Sequence, residues 1–290
     1  MQPQNPHLAP HVRTRPPGEL AHGPRNVGGE LLVFLALSYA ITWAAFLAVA
    51  RWLPAHTAPG YALVLFGAYT PGLVALFLTA RTGGRRGLRA LLRRILIADV
   101  PVRLYVVALS YIAIVKLTAA LLHRLLAGEW PTFGAGSIVL IPFAIAFSTP
   151  FQAGEEIGWR GFALPRLTDR FGLRIASLLL GVIWAIWHLP QFYIGAADTY
   201  HQSFVVWAPQ VVALSVAFAW LYGRSGGSLL LVMLMHSAIN NSKDIVASAA
   251  AIPPGVFSPN APLIAWLTLG VLWAAAAYFL ARMPAKLDWR

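Results

Sequence analysis

Apolar stretches long enough to cross a membrane recur along most of this chain, near residues 31–51, 60–80, 103–127, 137–158, 174–195, 204–223, 227–250 and 262–282. A helix of about 20 residues spans a hydrocarbon core about 30 Å thick. In lipid every backbone N–H and C=O must be satisfied internally, which an α-helix does within its own segment. The expected fold is therefore all-α, a polytopic transmembrane helix bundle of about eight spans. Composition agrees, with 58% of residues hydrophobic and 11% charged, against roughly a quarter charged in a soluble domain.

The net charge of +12 would suit a nucleic-acid partner only on a soluble basic face, and here the arginines stand between apolar runs. They read instead as topology signals, and no nucleic acid is expected. With eight spans, 18 of the 22 basic residues fall on one side and only Arg51 and Arg124 on the other, while Lys116 and Lys243 lie within spans. The positive-inside rule then places both termini in the cytoplasm. The stretch Arg81–Arg94 reads as a plain positive-inside loop, with an amphipathic surface helix as the second reading. Arg outnumbers Lys 19 to 3, a bias of high-GC bacterial genomes, so the lipid bilayer expected is a bacterial plasma membrane.

Residues 1–28 hold six Pro and no sustained apolar stretch, which predicts a disordered cytoplasmic tail with His7, His11 and His22 solvated. Residues 29–290 read as a single membrane domain. The absence of cysteine excludes disulfides, Cys-ligated zinc and iron–sulfur clusters within this chain.

Charge at membrane depth is costly, so each ionisable residue near a span asks for a reason. Glu155 and Glu156 close the fourth run in Gly154-Glu-Glu-Ile-Gly-Trp-Arg160, and the i, i+4 spacing lets Arg160 meet Glu156 on one helical face. Glu155, turned about 100° around the helix, is left for another partner. His188 lies in the fifth run, in Trp184-Ala-Ile-Trp-His-Leu-Pro190, where Pro190 should kink the helix. His236 lies in the seventh, with Asn240 one turn later on the same face. Taken singly, the glutamates would be charges at a helix end and each histidine an interhelical hydrogen bond. Together they hold the parts needed to activate water: a base, its partner, and donors for an oxyanion. Lys116, Lys243 and Asp244 are further polar residues in spans, with no role assigned.

In this order, Glu-Glu-x-x-x-Arg (155, 156, 160), Trp-x-x-x-His (184, 188) and His-x-x-x-Asn (236, 240), the motifs resemble the CPBP family of intramembrane proteases. That family includes the Rce-type CAAX prenyl proteases and the Abi proteins. The resemblance covers a motif-bearing core of about 137–245. It departs at Trp184, where the family pattern usually has Phe. It implies a polar catalytic cavity among spans 4–7, in which Glu155 and His188 polarise a water for attack on a peptide carbonyl, His236 and Asn240 stabilise the oxyanion, and Glu156 and Arg160 support the site. Two mechanisms stay open: a metal-free glutamate mechanism, which is preferred, or Zn²⁺ held by Glu155, His188 and His236 with one open position. The substrate implied is a membrane-associated protein or peptide. Two other classes remain: a non-catalytic peptide-binding or bacteriocin-immunity protein, and a proton-coupled transporter. One tension is geometric. With straight spans, Glu155 falls near the cytoplasmic face and His188 roughly 20 Å from it.

Overall fold

The structure, a computed structural model, describes residues 27–242, 245–246, 255–284 and 287. The tail expected over 1–28 lies outside the described residues as far as residue 26, as do Lys243 and Asp244. The described part is all-α, as expected: α1 (Val27–Arg51), α2 (Ala58–Arg93), α3 (Val102–Ala127), α4 (Ile141–Ser148), α5 (Ala153–Glu156), α6 (Leu164–Trp187), α7 (Phe204–Arg224), α8 (Leu229–Asn240) and α9 (Leu263–Arg282). A single isolated antiparallel bridge, Phe133 to Val246, is the extended pairing among the described residues. Large apolar side chains such as Phe77, Phe143 and Phe147 point outward, the surface that lipid demands and water penalises.

Among the described residues six helical runs are long and apolar enough to cross a membrane, namely Gly28–Arg51, Ala58–Leu96, Val102–Ala127, Ile138–Tyr193, Phe204–Arg224 and Leu263–Arg282, beside the shorter Leu229–Asn240. The count differs from eight for two physical reasons. The fourth and fifth apolar runs belong to one 56-residue path, because the arginine-bearing stretch between them is helical. The seventh helix ends at Asn240 rather than near 250. There Asn241 Nδ2 turns back to donate to Ser237 O at 2.8 Å. Beyond it the chain crosses to α3 and the segment before α4, where Val246 O accepts from Lys116 Nζ at 3.3 Å and Ile245 O accepts from Gly134 N at 3.3 Å.

The long path folds on itself at Gly172, whose φ of 74° is a conformation that glycine adopts without a Cβ clash. Glu155 stands 17 positions before this bend and His188 16 positions after it. Arms of nearly equal length return the two side chains to one level, which removes the 20 Å tension. The stretch 159–173 is thus not a loop, and Arg160 is not a topology signal but a fully buried side chain.

Tight packing fixes the first arm. A methyl group on Gly158 would lie 2.6 Å from the Pro71 carbonyl carbon of α2, so the two backbones meet as small residues allow in membranes. The second arm is tied to α1, where Trp43 Nε1 donates to Trp187 O at 3.1 Å and the Tyr39 hydroxyl donates to Ile183 O.

The basic stretch 81–94 is helical as well, which favours the amphipathic reading over a plain loop. α2 breaks at Gly84, and the limb beyond it buries Gly87 and Leu91 while exposing Arg85, Arg86, Arg89 and Arg93. Arg94 then turns inward, donating to Tyr222 Oη at 2.8 Å and to Gly161 O at 3.4 Å.

Candidate active site

Glu155 and Glu156 end α5, and the seven residues that follow, Ile157–Ala163, form a π-helix that is buried throughout. Such segments are rare and are frequently found at functional sites. This one carries Arg160 at its centre. Its residue Gly161 sits in a layer with Leu91 of α2 and Leu229 at the start of α8, whose side chains would lie 2.8 and 3.3 Å from a methyl group there. Glu156 is five residues back from this layer, and His236 is seven residues along α8 from Leu229. Both paths place the side chains roughly 7–10 Å along the helices from this layer. The Gly172 bend reaches past that layer on the other side.

One half of the site is closed. Glu156 Oε1 accepts from Arg160 Nη1 at 3.0 Å and from His236 Nδ1 at 2.7 Å, with Glu156 and Arg160 both 0% exposed. The Arg160 guanidinium is clamped between Trp184 and Phe218, 4.1 and 4.2 Å from the two ring centroids. Two aromatic faces thus supply part of the stabilisation that water would otherwise give a cation. The His236 ring meets the same two residues edge-on, 5.5 Å from Trp184 and 5.7 Å from Phe218. With Nδ1 committed to Glu156, Nε2 is the nitrogen left for chemistry.

The other half is partly open. His188 Nδ1 donates to Trp184 O at 2.7 Å. A carbonyl can only accept, so in the neutral ring Nε2 is the acceptor. Nε2 lies 3.9 Å from Glu155 Oε2, which itself accepts from Trp184 Nε1 at 2.7 Å. Two acceptors therefore face each other beyond hydrogen-bond distance, and a water with two O–H donors satisfies both. Pro190 acts here by ending the helix: α6 stops at Trp187 and passes into a 3-10 turn, Leu189–Tyr193. Trp187 and Trp207 wall the His188 ring at 4.7 and 5.2 Å between ring centroids.

Asn240 joins through a residue that motif reading missed. Gln152 Nε2 donates to Ser148 O at 3.2 Å, which turns its Oε1 toward Asn240, and Asn240 Nδ2 donates to that oxygen at 3.2 Å. The chain of donors begins at a backbone carbonyl, so the orientation of both amides follows from it. A polar seam continues beside it, with Ser148 Oγ 2.5 Å from Ser237 Oγ and accepting from Asn241 Nδ2 at 3.1 Å. The signal was present in the sequence: Gln152, Ser148, Ser237 and Asn241 are polar residues within apolar runs, where each needs a partner.

The structure thus links Glu156, Arg160 and His236 directly, sets Glu155 beside His188, and orients Asn240 through Gln152. Glu155, His188 and His236, the residues considered for zinc, are not gathered as a ligand set. Among the described residues no three His, Asp or Glu form a group able to hold a metal ion. His236 is turned toward Glu156 instead.

Residues 134–242, which contain all six motif residues, match the family described as Type II CAAX prenyl endopeptidase Rce1-like. The motif-bearing segment is therefore Rce1-like, as the order and spacing of its motifs had indicated. A similar protein is the CAAX prenyl protease 2 of Methanococcus maripaludis, 28% identical over 101 residues, which are 32% of this chain and 36% of that relative. The chain thus matches about a third of that relative's length.

Proposed function

We propose that this multi-pass membrane protein is an intramembrane endopeptidase that hydrolyses a peptide bond in a membrane-associated protein or peptide. The observation that carries the reading is the Glu155–His188 pair. Two acceptors 3.9 Å apart, each held by Trp184, make a seat for a water rather than for each other. In the proposed reaction the water oxygen bonds to the peptide carbonyl carbon as Glu155 and His188 Nε2 draw off one of its protons. The carbonyl oxygen becomes an oxyanion, met by an Asn240 amide N–H and by the Nε2–H of His236, which donates there in its imidazolium form because Nδ1–H is already given to Glu156. Collapse breaks the C–N bond, and the proton held at the Glu155–His188 pair passes to the leaving nitrogen. Glu156 and Arg160 hold His236 in place.

In this reading the two side chains activate the water without a metal. The protein sits in a bacterial plasma membrane with both termini cytoplasmic, and the arginine-bearing end of the bundle faces the cytoplasm. Substrates then enter from the cytoplasmic leaflet.

The test is cleavage of membrane-bound peptide reporters by the purified, bilayer-reconstituted protein, comparing wild type with Glu155→Ala and His188→Ala, each with and without a strong chelator. Loss of cleavage in both folded variants, with chelation harmless to the wild type, is the expected result. Loss on chelation with recovery on Zn²⁺ would replace the metal-free mechanism, and cleavage surviving in both variants would overturn the site.

A further inference from the structure

We propose that Trp184 is a positioning residue that keeps the two adjacent glutamates apart in role, holding Glu155 as a free base while Arg160 stays committed to Glu156. The proposal rests on the protease reading above.

The geometry of one indole carries it. Its N–H edge donates to Glu155 Oε2 at 2.7 Å, and its ring face lies 4.1 Å from the Arg160 guanidinium carbon. An indole is electropositive at the N–H edge and electronegative over its face, so it meets an anion and a cation at once, each in the orientation its charge prefers. The same residue's carbonyl fixes the His188 tautomer, and its ring touches those of His188 and His236 at 5.2 and 5.5 Å between centroids.

The need for such a divider follows from unspent donors. Arg160 Nε and Nη2 are buried and have no hydrogen-bond partner among the described residues. A guanidinium offers five N–H donors and favours bidentate pairing with carboxylates. Glu155, adjacent in sequence to the glutamate that Arg160 already holds, is a further carboxylate against the same indole as the guanidinium. Were it captured, its lone pairs would no longer be available to a water. The indole lies against both groups: it blocks the cation with its face and holds the carboxylate with its edge. Phenylalanine supplies the face without the edge.

The experiment uses the full-length protein in bilayers with three residues at position 184: the native Trp, Trp184→Phe, and benzothienylalanine, which keeps the indole outline but carries sulfur in place of N–H. Both replacements are expected to lower kcat about tenfold, the loss of roughly one charge-assisted hydrogen bond, with KM within twofold and thermal stability preserved. Independently of activity, the Trp184 indole N–H resonance, identified by its disappearance in Trp184→Phe, is expected to move upfield in Glu155→Ala. Native kcat with benzothienylalanine, or an indole resonance indifferent to Glu155→Ala, would overturn the proposal. If the wild type cleaves no reporter, the protease reading fails, and the resonance still decides whether Trp184 holds Glu155.

Discussion

Glu155 and Glu156 are neighbours in sequence with opposite surroundings. Glu156 is sealed, its Oε1 shared between a guanidinium and an imidazole, in a cage closed by Trp184 and Phe218. Glu155 keeps a partly exposed carboxylate that meets an indole N–H on one side and an acceptor nitrogen on the other. Glu156 is a buried carboxylate with its charge compensated, whereas Glu155 faces an acceptor nitrogen across a water-sized gap, the arrangement that the proposed base requires. About 100° of helical rotation separates the two outcomes. The comparison teaches that a paired-acid motif names two residues but not two equal roles.

The sharpest test is to neutralise each carboxylate in turn. Glu155→Gln is expected to lower cleavage by about 10²–10⁴-fold, the usual contribution of a general base, with the fold intact because an amide oxygen still accepts from Trp184. Matched turnover and thermal-unfolding measurements check both halves of that statement. Substantial cleavage by Glu155→Gln would end the distinction between the two glutamates.

Glu156→Ala is expected to act through stability. It leaves the Arg160 charge buried and uncompensated, a change that costs about 3–5 kcal/mol in comparable buried pairs. Denaturant or thermal unfolding in detergent should show it, and Arg160→Ala should show a loss of similar size. A Glu156→Ala protein as stable as wild type but inactive would make Glu156 a participant in the chemistry and break the comparison from the other side.

Much of this arrangement was legible in the sequence, and the remainder shows where one-dimensional reading stops. Run length and backbone satisfaction in lipid sufficed for an all-α bundle, and the order of the motifs sufficed to group Glu155, His188, His236 and Asn240. The bend was hidden because Arg160, Arg166, Arg170 and Arg174 read as a loop charged for topology. In fact Arg160 is caged at the site, and Arg166 Nη2 pairs with Glu30 of α1 at 2.9 Å, so the stretch is helical and packed. The early end of α8 was hidden because Ile245 and Val246 are as apolar as the helix before them, and only their contacts with Gly134 and Lys116 show that the chain has turned. Trp184 was visible as an aromatic in the motif, but which atom its N–H would meet depends on tertiary geometry.

Between the two glutamate variants and the finer adjustments lies Gly158, on the sealed side. Gly158→Ala forces a methyl group against the Pro71 backbone of α2, a contact between main chains that no rotamer change relieves. Overpacking of this kind costs about 1–3 kcal/mol. The expected outcome is a lowered unfolding temperature, with cleavage at low temperature falling less than in Glu155→Gln. Unchanged stability would mean that α2 and the π-helix separate easily, contrary to a rigid sealed half.

The smallest effect belongs to the open half. Gln152 fixes which way the Asn240 amide points, since its own amide is oriented by Ser148 O. Gln152→Ala removes two neutral hydrogen bonds, one to Ser148 O a turn earlier and one from Asn240 on another helix; the interhelical one is worth about 0.6 kcal/mol on average and at most about 1.7, so stability should change little. Asn240 then has two amide orientations available, one of which presents an oxygen instead of an N–H to a developing oxyanion. Dividing productive from unproductive orientations predicts a fall in kcat of about two- to fivefold with KM nearly constant. Gln152→Glu keeps an acceptor for Asn240 Nδ2 and should recover most of that loss, provided it folds as wild type. A rise in KM with kcat unchanged would instead place Gln152 in substrate binding, and the open half would then be divided between a base that acts on water and a seam that grips the peptide.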